Sequence, residues 1–283
     1  MSTFFDSVSS SKKPSTNGTI HTWIATDLIH DRIPVSSMGI SFWNWLREHR
    51  NKFHDDGMIQ CAMHGVYTAF LGLWYTVTSR RPIGQNVYEV DWDLLVILDA
   101  CRVDVLEAVA NEYDFIDSID RKLSVGSHSR EWLAGTFTGR WCDEIARTAM
   151  ITGNGHTEPV FYTGESPPKE TVPFCWPNWD VADGDAFGKL EMIWQDDHPA
   201  GYGVPPRPIT DRTIAVARDE DHDRVIAHYM QPHVPYIAEA VREDREPTEA
   251  ESRGWKYLKT GDLDAESHRE LYEANLRLVL DEI

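Results

Sequence analysis

The feature that most constrains this chain is the run Leu94-Leu95-Val96-Ile97-Leu98, closed by Asp99. A strand with one wet face alternates apolar and polar residues. A short continuous apolar run belongs instead to a strand buried on both faces, inside a parallel sheet covered by helices. Two later segments read the same way. Ala149-Met150-Ile151-Thr152 ends at Gly153-Asn154-Gly155, and Arg224 to Met230 forms a third run. Helical spacing fills the intervals: Val103, Leu106, Val109 and Ala110 within Arg102 to Glu112, a helix near Arg130 to Ile145 after a Gly-Ser loop, and an apolar stripe of Leu271, Tyr272, Leu276, Val279 and Ile283. The alternation predicts an α/β fold, a mainly parallel sheet flanked by helices, over residues 87–283. No internal repeat is present.

Residues 1–18 are rich in Ser, Thr and Lys and lack an apolar core, so they read as a disordered tail rather than a secretory signal or anchor. Residues 19–86 read as a helical N-terminal segment. Within it, Phe42, Trp43, Trp45, Leu46 and Phe53 lie among charges in an amphipathic pattern, and residues 57–79 carry no formal charge. That second stretch reads as a buried or interfacial helix, with weak membrane association or insertion as the alternative. Pro159 to Pro208 is heavy in Pro, Trp, Gly and Asp and is expected to be an excursion over an active-site face.

The 46 acidic and 27 basic side chains leave a formal net charge of −19. Nucleic acid is therefore not an expected partner, since its phosphates require a basic surface. Scarce Lys and abundant Asp fit a halophile's cytoplasmic protein kept soluble in concentrated salt. Cys61, Cys101, Cys142 and Cys175 are too widely spaced for a zinc ribbon or a CxxC pair and read as free thiols.

In open α/β sheets, ligands gather at the carboxyl ends of strands. Asp99, with Arg102 and Asp104 close behind, can hold a divalent cation over the sheet edge, or cap the following helix. In Ser124-Val125-Gly126-Ser127-His128-Ser129-Arg130, a Gly-Ser loop opens a helix and presents N–H groups and hydroxyls to an anion. Ser129 is placed either to cap that helix or to act as a nucleophile, and Ser127 is the other exposed hydroxyl. In His228-Tyr229-Met230-Gln231-Pro232-His233-Val234-Pro235-Tyr236, two prolines restrict the loop that carries His233. An imidazole held there can bind an oxyanion, protonate a leaving group or ligate a metal. The tryptophans at 176, 179 and 194 either pin the long loop or line a cleft, and Asp196-Asp197-His198 is a weaker acidic cluster.

Taken in order, these pieces resemble the alkaline phosphatase superfamily, in particular its sulfatase-like branch. Trp92 to Asp104 resembles its opening strand and first metal-binding Asp, the Gly-Ser loop falls where it places the nucleophile, and Met230 to Tyr236 is similar to a PHxPY segment. The resemblance implies a metal-dependent hydrolase or transferase acting on a small-molecule or glycan sulfate or phosphate ester. Asp99 would be a ligand to a divalent metal (Mn, Mg, Ca or Zn), Ser129 or Ser127 the nucleophile, and His233 a substrate contact, with Arg102, Arg130 and His228 as further anion contacts. The loop lacks the Cys and Pro of a formylglycine signature, which points to a plain hydroxyl nucleophile. No Asp-His-Gly metal motif occurs in the chain. The resemblance is thus to a C-terminally shortened member, with a complementing C-terminal chain as an expected partner or a non-catalytic remnant as the alternative.

Overall fold

The computed structural model describes residues 4–10, 20–25, 58–167, 172, 175–198, 201–219 and 222–283. Its strands are β1 (Phe4–Ser10), β2 (Ile20–Ala25), β3 (Leu94–Asp99), β4 (Ser118–Leu123), β5 (Thr148–Thr152), β6 (Lys189–Met192) and β7 (Arg224–Tyr229). The principal helices are α1 (Met58–Thr78), α2 (Val103–Val109), α3 (Ser129–Thr136), α4 (Thr157–Phe161), α5 (Pro206–Asp219) and α6 (Ala265–Glu282). Shorter helical turns join them.

The sheet order is β4-β1-β2-β3-β7-β5-β6. Strands β3, β7, β5 and β6 are all parallel, pairing Leu94 with Val225, Thr148 with Arg224 and Ala149 with Lys189. Strand β2 joins β3 in parallel, while β1 runs antiparallel to both β2 and β4. The three strands anticipated from apolar runs are thus immediate neighbours, and their carboxyl ends lie side by side.

Helices cover both faces of the parallel strands. On one face, Val96 and Leu98 of β3 pack with Val105, Leu106 and Val109 of α2, Ile209 and Val216 of α5, and Leu276 and Val279 of α6. On the other, Leu95 and Ile97 pack with Trp132 and Leu133 of α3, Phe137, Phe161 and Met150. Leu95, Ile97 and Leu98 are at most 1% exposed, so each contributes about 1.5–3 kcal/mol of burial. Two-sided burial is the physical cause of the uninterrupted apolar run.

The N-terminal expectations need correction. Phe4–Ser10 is a strand rather than part of a disordered tail, and Ile20–Ala25 is a strand rather than a helix. Both segments carry aromatic and β-branched residues, Phe4-Phe5 and Ile20-His21-Thr22-Trp23-Ile24, whose local strand preference was outweighed by the polar composition around them. The amphipathic stretch from Phe42 to Phe53 lies outside the described residues. The expected helix over 57–79 is α1, and no described helix is long and apolar enough to cross a membrane. The proposed excursion at 159–208 holds more order than expected: α4 opens it, β6 crosses it, and α5 begins at Pro206. Strands β4 and β6 escape an apolar-run search because they form the two edges of the sheet and are at best half-buried.

Candidate active site

Asp99 ends β3 and is 4% exposed. Immediately after it, Ala100 adopts a left-handed conformation with φ 59°, which costs a residue bearing a Cβ about 1–2 kcal/mol. The turn sends the chain away from the sheet and leaves the Asp99 carboxylate at the strand ends. Asn154, from the loop after β5, donates its amide to Asp99 Oδ2 at 3.0 Å. The Ser129 hydroxyl lies 3.3 Å from Oδ2 and 3.4 Å from Oδ1. Burial pushes the Asp99 carboxyl above its ordinary range, while the nearby His233 imidazole, Ser129, the Ala100 N–H and Asn154 oppose that rise.

The loop before α3 is shaped by a glycine and a buried carboxylate. A Cβ on Gly126 would sit 2.2 Å from the Trp132 nitrogen, so no side chain fits there. Glu131 is fully buried, and accepts from the Ser127 N–H at 2.7 Å, the Ser127 hydroxyl at 2.5 Å, the Trp74 indole at 3.0 Å and the Thr78 hydroxyl at 3.3 Å. The N-cap of α3 is His128, not Ser129: its Nδ1 accepts from the Glu131 N–H, so its Nε2–H donates to Tyr75 at 3.0 Å. Ser129 is the first helical residue, which releases its hydroxyl from capping and turns it to Asp99. Three side chains of α1, Trp74, Tyr75 and Thr78, therefore brace the loop that presents Ser129.

Arg130 lies beside this group with its side chain 7% exposed, reaching Glu165 at 3.3 Å. Its Nε donates to His156 Nδ1 at 3.2 Å, leaving the His156 proton on Nε2. Burial, with the Arg130 charge second, lowers the His156 pKa to about 4, so the ring is neutral at pH 7. His156 also lies within electrostatic range of His128, His233 and His228. Its backbone N–H donates to Asn154 Oδ1 at 2.8 Å, so one asparagine orients both Asp99 and the His156 loop.

His233 follows the end of β7, and both the Gln231–Pro232 and Val234–Pro235 bonds are cis. Its Nδ1–H donates to the Val234 carbonyl at 2.6 Å, which leaves Nε2 for the site.

Of the residues singled out from sequence, the structure brings Asp99, Ser129, His233 and Arg130 together. Ser127 is held by Glu131. Arg102 is exposed and pairs with Asp104, at 3.0 and 2.9 Å, rather than with the site. His228 is a buried residue of β7, bonded to Thr152 at 3.2 Å and set edge-on to Trp132; burial lowers its pKa to about 3. Of the tryptophans, Trp179 and Trp194 pin their loops through the Pro167 carbonyl and the Thr157 hydroxyl.

Sequence reasoning missed Asn154 and His156. The signal was Gly153-Asn154-Gly155-His156 at the end of a buried strand, read only as a strand terminator.

The donor set does not fit a resident divalent ion. Among the described residues Asp99 is the one carboxylate at the centre, and Asn154 and Ser129 already engage its oxygens. Among those same residues no group of three or more His, Cys, Asp or Glu side chains is placed to hold a metal, and such a site needs several such ligands. The chain matches no protein-family model, no curated protein and no solved structure.

Proposed function

We propose that the chain is a sulfatase-like hydrolase or transferase that acts on a sulfate or phosphate ester through Ser129. The observation that carries this reading is the Ser129 hydroxyl at a helix N-terminus, 3.3 Å from a buried carboxylate whose proton affinity is raised. A raised pKa makes Asp99 a better proton acceptor than an ordinary carboxylate. In the first step Ser129 Oγ bonds to the sulfur or phosphorus, its proton passes to Asp99, and the bond to the ester oxygen breaks.

The charge on the transferred group is met by the first N–H groups of α3, by the Arg130 guanidinium and by the Nε2–H of neutral His156. His233 protonates the departing oxygen when its imidazole carries a second proton. Water or an acceptor alcohol then bonds to the sulfur or phosphorus and gives its proton to His233, while the bond to Ser129 Oγ breaks and Oγ takes its proton back from Asp99. An ester oxyanion matches this constellation better than an amide or a nucleoside base, because Arg130, the Nε2–H of His156 and the first N–H groups of α3 supply positive charge and donors near Ser129.

The test uses the whole chain in concentrated salt with 4-nitrophenyl phosphate and 4-nitrophenyl sulfate, each with and without Mn, Mg, Ca and Zn. Ser129→Ala should abolish turnover, and mass spectrometry of the quenched wild type should find a phosphoryl or sulfuryl group on Ser129. Ser127→Ala should weaken activity through the loop but leave the labelled position unchanged. Label on Ser127, or full activity of Ser129→Ala, refutes the assignment.

A further inference from the structure

The last helix, α6, touches both loops that deliver Asp99 and His233, through two side chains one turn apart. The Tyr272 hydroxyl donates to the Ala100 carbonyl at 2.6 Å and accepts from the Arg102 N–H at 2.7 Å. It thereby bridges the two sides of the left-handed turn that follows Asp99. Asn275 is fully buried. Its Oδ1 accepts from the Ile237 N–H at 2.8 Å, and its Nδ2 lies 3.4, 3.2 and 3.3 Å from the carbonyls of Pro232, His233 and Pro235.

Both side chains bond to backbone, and to the backbone of loops rather than of regular elements. A loop at a strand end has no ladder of its own, so its buried amides and carbonyls must find partners elsewhere. Here one helix supplies them to two loops that are far apart in sequence. Leu276, Val279 and Leu280 anchor the same helix in the core against the sheet. The spacing of Tyr272 and Asn275 along a rigid helix therefore fixes the spacing of the two loops.

We infer that Tyr272 and Asn275 are positioning residues, a two-point clamp by which α6 sets the registration of Asp99 against His233. The clamp rests on the proposed function only for its effect on rate, since its effect on the loops is independent of any substrate. Buried tyrosine and asparagine are otherwise expensive at the centre of a helix–sheet interface, where apolar residues would pack as well. Their full engagement with loop backbone accounts for their presence. Tyr272 is held neutral, and so able to donate, because burial pushes its pKa well above the ordinary tyrosine value.

The test compares Tyr272→Phe and Asn275→Leu with Val279→Ala, a core substitution on the same helix whose apolar side chain makes no hydrogen bond to either loop. Amide hydrogen exchange is read first. Tyr272→Phe should speed exchange at Arg102 on the order of tenfold, and Asn275→Leu should do so at Ile237, each a local loss of one hydrogen bond. Val279→Ala should lower the melting temperature without that local signature. Turnover of 4-nitrophenyl phosphate or sulfate is read second, where either clamp variant should lower kcat by about tenfold or more with KM little changed. Asn275→Asp, which keeps the acceptor to the Ile237 N–H, should restore protection at Ile237. Exchange at Arg102 and Ile237 that merely follows global stability, as in Val279→Ala, overturns the clamp. Loss of local protection in a chain that shows no ester turnover at all supports the clamp and refutes the proposed reaction.

Discussion

Replacing Asp99 by Asn should stabilise the protein and inactivate it. Asp99 is 4% exposed, and burial is the largest influence on its carboxyl, raising its pKa despite the opposing effects of His233, Ser129, the Ala100 N–H and Asn154. A raised folded-state value means that the folded chain binds the proton more tightly than the unfolded chain. Stability is then fullest below the ordinary carboxylate pKa, and falls as pH rises from that value through the folded one. At neutral pH the ionised carboxylate is a net cost. The Asp99→Asn substitution removes the charge while keeping an oxygen to accept from Ser129 and the Ala100 N–H. It loses one acceptor opposite the Asn154 amide, a penalty of about 1 kcal/mol. The expected balance at pH 8 is a gain of about 1–2 kcal/mol, the size usual when a strained functional group is relieved. That corresponds to roughly 2–6 °C in melting temperature. Urea unfolding of wild type and Asp99→Asn at pH 8 and pH 4 measures it, with m-values checked for equality. The advantage of the variant should be smaller at pH 4 than at pH 8, because the raised pKa brings protonation of the wild-type carboxyl closer as pH falls. A variant less stable at pH 8 than at pH 4, relative to wild type, would mean that the ionised carboxylate is stabilised by its surroundings, and the proton-acceptor role of Asp99 would fail with it.

Two further substitutions probe the loop that presents Ser129. Gly126→Ala places a methyl 2.2 Å from the Trp132 nitrogen and should cost about 3 kcal/mol or more; a melting temperature within 2 °C of wild type, as a rough threshold, would show that the loop yields. Glu131→Gln puts an amide where an oxygen now accepts from Ser127, Trp74 or Thr78. It should cost roughly 1.5–3 kcal/mol, as for hydrogen bonds to a charged group, and should lower ester turnover, while protease sensitivity rises at the α1 end nearest the loop. Unchanged stability in that variant would remove the brace between α1 and the site.

Legibility followed burial. Strands β3, β5 and β7 stand out because both faces are covered, and two-sided burial writes itself as an apolar run. Edge strands such as Ser118–Leu123 bury too little to leave such a mark, and their pairing is carried by backbone bonds that any sequence can make. Helix α6 is legible as a stripe of Leu271, Tyr272, Leu276 and Val279, since a helix packed on a sheet repeats its apolar contacts every three or four residues; Ile283, the fifth residue of the expected stripe, is exposed instead. The same stripe hid what Tyr272 does. Its ring satisfies the pattern as any apolar residue would, and only the geometry reveals that its hydroxyl reaches Ala100 and Arg102.

The site divides along the same line. Asp99, Ser129 and His233 could be found because each ends or follows an element whose limits the sequence marks with Asp, with Gly and Ser, or with Pro. Asn154 and His156 sit at an equally well-marked strand end, yet Gly153 and Gly155 explain the turn so completely that the polar residues between them drew no separate reading. Ser127 and Ser129 could not be told apart by spacing. The distinction depends on which hydroxyl a buried glutamate takes, and Glu131 takes Ser127 only because Trp74 and Thr78 of α1 help enclose it. If Ser129 is the nucleophile proposed above, its selection over Ser127 is specified by a helix more than 50 residues upstream. Local sequence can nominate the candidates at a strand end, but the choice between them is made by tertiary contacts that tie one hydroxyl to a buried glutamate and leave the other to Asp99.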